Sequence, residues 1–141
     1  MEYLNSQGSG YLLRLPSDKP AAEKLHAMLE EEEAEEVPEE AILCAQCCQV
    51  ITSAAERIAV QGSHQHTFTN PHGIIFQIGC YRSAKRCRYA GPVTEEWSWF
   101  AGFSWRIAVC SSCLTHLGWL FACAGKESFH GLILNRLIQP D

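Results

Sequence analysis

The chain has 141 residues, of which 47% are hydrophobic and 19% charged, with a formal net charge of −5 and eight cysteines. That is enough for one domain and too little for two well-cored ones. No run of about 18 apolar residues exists, so no membrane-spanning helix is expected, and no continuous basic patch marks a nucleic-acid partner. The opening Met1-Glu2-Tyr3-Leu4 lacks the basic and apolar regions of a secretory signal. The expected location is therefore cytoplasmic, where cysteines serve as thiols and metal ligands rather than disulfides.

Residues 1–40 carry eleven acids against three bases, and residues 41–141 five against eight. The net charge thus belongs to the leader. Asp18-Lys19-Pro20 reads as a helix start, with a capping candidate and a proline in the first turn. The run Glu30–Glu36 keeps helical propensity but repels itself, and Val37-Pro38 ends it. The expectation for 1–40 is an acidic leader, partly helical or disordered, followed by one zinc-binding β domain over 41–141.

From Ala41 onward, short apolar stretches alternate with turn residues in a mostly antiparallel all-β pattern. Ser53–Arg57 reads as a helical turn. His64 and His66 fall in a polar loop and read as solvated. Asn70-Pro71-His72-Gly73 has turn chemistry: asparagine opens it, proline fixes φ and glycine takes positive φ. The β-branched and aromatic segment 74–80 predicts a strand. Phe129–Ile138 fits either a strand or a short helix.

Two Cys-x-x-C pairs, Cys44/Cys47 and Cys110/Cys113, carry the strongest chemical signal. Each tight turn supplies two thiolates, and two such knuckles complete a closed tetrahedral site for one structural zinc. A closed site has no open coordination position, so it stabilises rather than catalyses. Cys48 is an alternative ligand beside Cys47, although the spacing favours Cys44/Cys47. Cys80 and Cys123 read as small buried hydrophobes.

All four tryptophans, Trp97, Trp99, Trp105 and Trp119, lie in one stretch of the chain. On strands, Trp97 would share a face with Trp99, and Trp119 with Phe121. Trp99, Trp105 and Trp119 could converge as an aromatic box. Such a box suits a cation or a flat neutral ring with polar edges, and Glu95 and Glu96 lean toward the cation.

The chain resembles the thalidomide-binding (CULT) domain of cereblon and its single-domain bacterial relatives. The resemblance covers about 41–141. It rests on Cys44-Ala45-Gln46-Cys47, Asn70-Pro71-His72-Gly73, the segment Ser98–Trp105, Cys110-Ser111-Ser112-Cys113, His116-Leu117-Gly118-Trp119 and Phe129-His130-Gly131-Leu132. It implies an all-β fold, a β-tent of two antiparallel sheets at a steep angle pinned by a structural zinc on four cysteines. It also implies a cage for a cyclic imide made by Trp99, Trp105 and Trp119, with Phe121 at the floor and Asn70 on the neighbouring hairpin. The backbone carbonyl of Trp97 would accept the imide N–H, and the amide of Trp99 would donate to an imide oxygen. Trp97 departs from the family, since animal cereblons carry there a histidine that also bonds the imide. The residues ahead of the domain are too few for cereblon's Lon-like and adaptor-binding regions, so ligase substrate-receptor function is not expected to carry over.

The sequence therefore predicts a non-enzymatic module that grips glutarimide or thalidomide-type imides, uridine-like rings, or proteins bearing a C-terminal cyclic imide. A small ring with few atoms predicts micromolar affinity. The alternatives are a methionine sulfoxide reductase-like enzyme using Cys123 or Cys80, and a methyl-lysine-type cation reader.

Overall fold

The computed structural model describes residues 39–140, so all but the last two residues of the acidic leader lie outside the described residues. Nine strands form two antiparallel sheets, with no α-helix among the described residues. The smaller sheet orders β2 (Val50–Ser53), β1 (Ala41–Cys44) and β9 (Leu137–Ile138). The larger comprises β3 (Gln65–Thr69), β4 (Ile75–Tyr81), β5 (Cys87–Thr94), β6 (Ser104–Cys110), β7 (His116–Ala122) and β8 (Phe129–Ile133), in the order β3-β4-β8-β7-β6-β5. The all-β expectation holds. The helical turn expected after Ser53 is a single 3-10 turn, Ala54–Glu56. Phe129–Ile138 contains both expected forms, since a 3-10 turn at Leu134–Arg136 separates β8 from β9.

Alternation along the large sheet divides the apolar residues into two cores. Ile42, Cys44, Ile51, Tyr81, Cys110, Leu117 and Leu132 pack into one, around the cysteine knuckles. Ile78, Cys80, Phe100, Trp119, Phe121, Phe129 and Ile133 form the other. The two sets interleave in sequence because successive strand residues point to opposite faces.

A bulge in β7 makes this division possible. Val109 pairs with His116 but Ala108 pairs with Gly118, which leaves Leu117 as an extra residue. Without it, Leu117 and Trp119 would share a face. With it, Leu117 enters the knuckle core while Trp119 and Phe121 turn to the other. Gly118 is required here, because a Cβ would lie 2.0 Å from the carbonyl oxygen of Gly131. Gly131, opposite Trp119 on β8, likewise leaves room for the Phe121 ring, which a Cβ would approach to 2.9 Å.

His64 and His66 correct the expectation of solvated side chains. Both are half-buried against the 58–63 segment. His64 Nδ1 lies 3.1 Å from the Ile58 carbonyl, and His66 Nε2 lies 3.0 Å from those of Val60 and Ser63. Alternation in β3 turns His66 and Phe68 inward, and their rings stack. A stretch that is polar by composition is thus folded back over the sheet by its imidazoles.

Candidate functional site

The two knuckles are built alike. Cys44 N–H donates to Gln49 O at 2.8 Å and Cys48 N–H to Cys44 O at 2.8 Å; Cys110 N–H donates to Thr115 O at 2.9 Å and Leu114 N–H to Cys110 O at 2.9 Å. In each, the residue after the second cysteine takes a left-handed conformation, Cys48 with φ 67° and Leu114 with φ 65°. This equivalence settles the role of Cys48. It is the counterpart of Leu114, exposed at the turn's left-handed corner, and its sulfur is not in the cluster.

The sulfurs of Cys44, Cys47, Cys110 and Cys113 all lie within 4.8 Å of one another. Cys44 and Cys113 approach to 3.6 Å, as do Cys47 and Cys110. A tetrahedral thiolate site with metal–sulfur bonds of about 2.3 Å has sulfur–sulfur edges of about 3.8 Å, so the four residues fit a metal ion. Ser112 N–H points at Cys110 Sγ at 3.4 Å, and Gln49 Nε2 donates to Ser111 Oγ at 3.2 Å, linking one knuckle to the other. Burial pushes the Cys110 thiol up to about 12 and raises that of Cys44. Cys113 is also raised by burial, but hydrogen bonds with Thr115 and the adjoining cysteines bring it to about 7.

The second feature is an open cleft of about 390 Å³ lined by aromatic residues. Trp105 and Ile107 point from β6 and Trp119 and Phe121 from β7; Trp105 pairs with Phe121 and Ile107 with Trp119, so the four share one sheet face. Trp99 arrives from the β5–β6 connection. Its ring meets that of Trp119 at 4.8 Å and 73°, and its back is stacked on Phe68 at 4.9 Å. Phe76 braces Trp119 edge-on at 5.3 Å. Trp105 stands apart from both other indoles, with the cleft between them. Its Nε1–H donates to the Glu96 carbonyl at 2.7 Å, tying this wall to the loop that carries Trp97 and Trp99.

Beneath the cleft, Phe121 packs edge-on against Phe100 at 4.8 Å and stacks on Phe129 at 5.2 Å. Asn70 reaches the cleft from the β3–β4 turn together with Pro71 and His72. Its Oδ1 accepts from the backbone N–H of His72 and of Ile74, both at 2.9 Å, which fixes the turn and leaves its amide NH₂ as the free donor. Trp97 and Trp99 do not share a strand face as expected. Residues 95–103 form successive turns rather than a strand, and Trp97 has φ 59°. Among the described residues, neither the Trp97 carbonyl nor the Trp99 amide has a hydrogen-bond partner. Glu95 and Glu96 do not line the cleft, and no other carboxylate among the described residues does. Sequence reasoning missed Phe68 and Phe76, which back the Trp99 and Trp119 walls. The alternation of β3 was the available signal for Phe68, and that at the start of β4 for Phe76.

The fold and site define a small all-β domain whose paired Cys-x-x-C knuckles can close on a metal ion beside an aromatic cleft. No family model matches the chain. Curated relatives do. The protein cereblon of Danio rerio is 32% identical over 104 residues, 68% of this chain and 24% of that protein. For that of Gallus gallus the figures are 35% over 75 residues, 50% and 17%. For that of Xenopus tropicalis they are 34% over 82 residues, 52% and 18%. The chain is a cereblon-like (CULT) domain relative. It spans about a quarter or less of the length of these curated relatives.

Proposed function

We propose that the domain is a non-enzymatic receptor for small cyclic imides. Trp99, Trp105 and Trp119 enclose the ring's apolar faces, Phe121 forms the floor, and one zinc ion held by Cys44, Cys47, Cys110 and Cys113 stabilises the fold. One observation supports the reading: an open cleft of about 390 Å³ is walled by three indoles, and two of its lining residues carry unpaired backbone groups among the described residues, the Trp97 carbonyl and the Trp99 amide. An imide offers the complementary set, an N–H donor flanked by two carbonyl acceptors. Uracil-like rings present the same donor–acceptor edge. A C-terminal cyclic imide on another protein would present it at a chain end, so either is an admissible occupant.

The alternatives fare worse. Cys80 is sealed in the core, and burial pushes its thiol up to about 12, opposite to what a nucleophile needs. Cys123 lines a different, shallower hollow with Glu95 and Ser104. A methyl-lysine reader would gain from a carboxylate in the box, and none lines it. Calorimetric titration with glutarimide, uridine, methionine sulfoxide and trimethyllysine tests the proposal. Micromolar binding of glutarimide, with no turnover of the sulfoxide, is the expected result. Glutarimide silence at millimolar concentration refutes it.

A further inference from the structure

The two edges of the large sheet are built differently. At one edge, β5 carries the devices that keep a strand from pairing further. Arg88 puts a charge on it, Pro92 lacks an N–H, the ladder slips between Ala90 and Thr94, and Arg106 Nε–H occupies the Gly91 carbonyl at 3.0 Å. The small sheet ends in strands of only four and two residues, β2 and β9. At the other edge of the large sheet, β3 has no proline, no charged residue and an unbroken register with β4. Residues 58–81, which include both strands of this hairpin, contain no aspartate, glutamate, lysine or arginine.

Cys80 N–H donates to His64 O at 3.0 Å, and Asn70 N–H to Ile74 O at 2.9 Å. Hydrogen-bonded rungs of an antiparallel pair recur at every second residue, so His64, His66, Phe68 and Asn70 turn their backbone groups to β4. Gln65, Thr67 and Thr69 turn theirs the other way, where β3 has no neighbouring strand among the described residues. In that set only Ser63 Oγ–H reaches this row, 2.8 Å from the Gln65 carbonyl. Gln65, Thr67 and Thr69 are also exposed.

We infer that β3 is a dimerisation edge, on which a second copy of the chain adds its own β3 antiparallel about a two-fold axis at Thr67. The row is self-complementary. With Thr67 facing its symmetry mate, Gln65 faces Thr69 and Thr69 faces Gln65, so each outward amide meets an outward carbonyl. A shift of one residue would set the outward rungs against groups already bonded to β4, and a shift of two would lose a rung. The pairing is isologous, as a closed dimer requires. The uncharged hairpin sets no like charges opposite each other, and threonine side chains pair well across strands. One strand pair buries less than a standard interface, so the dimer is weak and concentration-dependent.

Sedimentation velocity of the full chain tests this, in about 0.15 M salt to screen the distant charges. The mean mass should climb from monomer toward dimer as concentration rises from about 10 μM to about 1 mM. Thr67→Lys and Thr67→Glu each set like charges against each other at the axis, and the exposed position leaves the monomer fold intact. Each should weaken association by about tenfold or more. An equimolar mixture of the two should restore it, because opposite charges then meet across the axis. Ala90→Lys, on the β5 edge, should change nothing. A native chain that stays monomeric to about 1 mM overturns the proposal and assigns the edge to a strand of another protein. Association that survives Thr67→Lys, or that fails to return on mixing, also overturns it.

Discussion

Replacing Trp105 by alanine removes one complete wall of the cleft, and the size of the loss follows from the geometry. An indole laid against a six-membered ring buries about 100 Å² of apolar surface, counting both partners; at about 25 cal/mol per Å² this is worth about 2.5 kcal/mol. That is a weakening of about 70-fold, enough to carry a ligand bound at about 1 μM to about 0.1 mM. A second effect adds to it. Trp105 Nε1–H holds the Glu96 carbonyl at 2.7 Å, so its loss frees the loop that presents the Trp97 carbonyl and the Trp99 amide. Trp105→Phe separates the two, keeping an aromatic wall while deleting a hydrogen bond worth about 1 kcal/mol. Calorimetry with glutarimide is the assay, since fluorescence changes with the deleted indole. The expected order is native, then Trp105→Phe about fivefold weaker, then Trp105→Ala about 70-fold weaker or more. Affinity of Trp105→Ala within about threefold of native would refute the wall.

Chelation, or Cys110→Ser, should unfold the domain, because a structural thiolate-bound zinc supplies about 10 kcal/mol or more against a usual net stability of about 5–15 kcal/mol; loss of near-ultraviolet dichroism together with release of one zinc per chain is the readout. Cys48→Gly should raise the melting temperature without changing metal content, since glycine relieves about 1 kcal/mol of left-handed strain at a corner that supplies no sulfur. His130 is 6% exposed, and burial lowers its imidazole to about 4. Its Nε2 meets the Tyr89 hydroxyl at 2.7 Å while Nδ1 has no partner. Below the ordinary value of about 6.5 the unfolded chain takes up a proton that the folded one refuses, so stability falls as pH drops from about 6.5 to about 4, by up to about 3 kcal/mol. Urea melts of His130→Gln over this range should show a shallower loss than the native chain.

The chemistry that depends on spacing was legible in the sequence. Cys-x-x-C fixes its own turn, so the four cysteines that cluster could be named, and β alternation correctly set Trp119 beside Phe121. Features decided by tertiary context were not legible. Nothing local says that β7 carries an extra residue at Leu117, because the bulge exists only relative to β6. Trp97 looked like a strand residue because tryptophan favours strands; the bend at 95–98 is held by a local bond to Thr94 Oγ1 and by one from Trp105, nine residues along from Glu96. His64 and His66 looked wet because burial of an imidazole depends on carbonyls that the fold brings above it. Spacing favoured Cys47 over Cys48, and the matching hydrogen bonds of the two knuckles show why: Cys48 occupies the corner that Leu114 holds in the other.

The β6–β7 hairpin has Trp105 near its open end and the second knuckle as its tip. The sulfur cluster and the indole walls are therefore two ends of one ladder. A slip of one rung at the tip would turn Trp119 and Phe121 through to the opposite side of the sheet. Ion occupancy and the fraction of molecules able to bind ligand should thus rise and fall together, and a partly demetallated preparation would report a reduced number of competent molecules rather than a weaker constant.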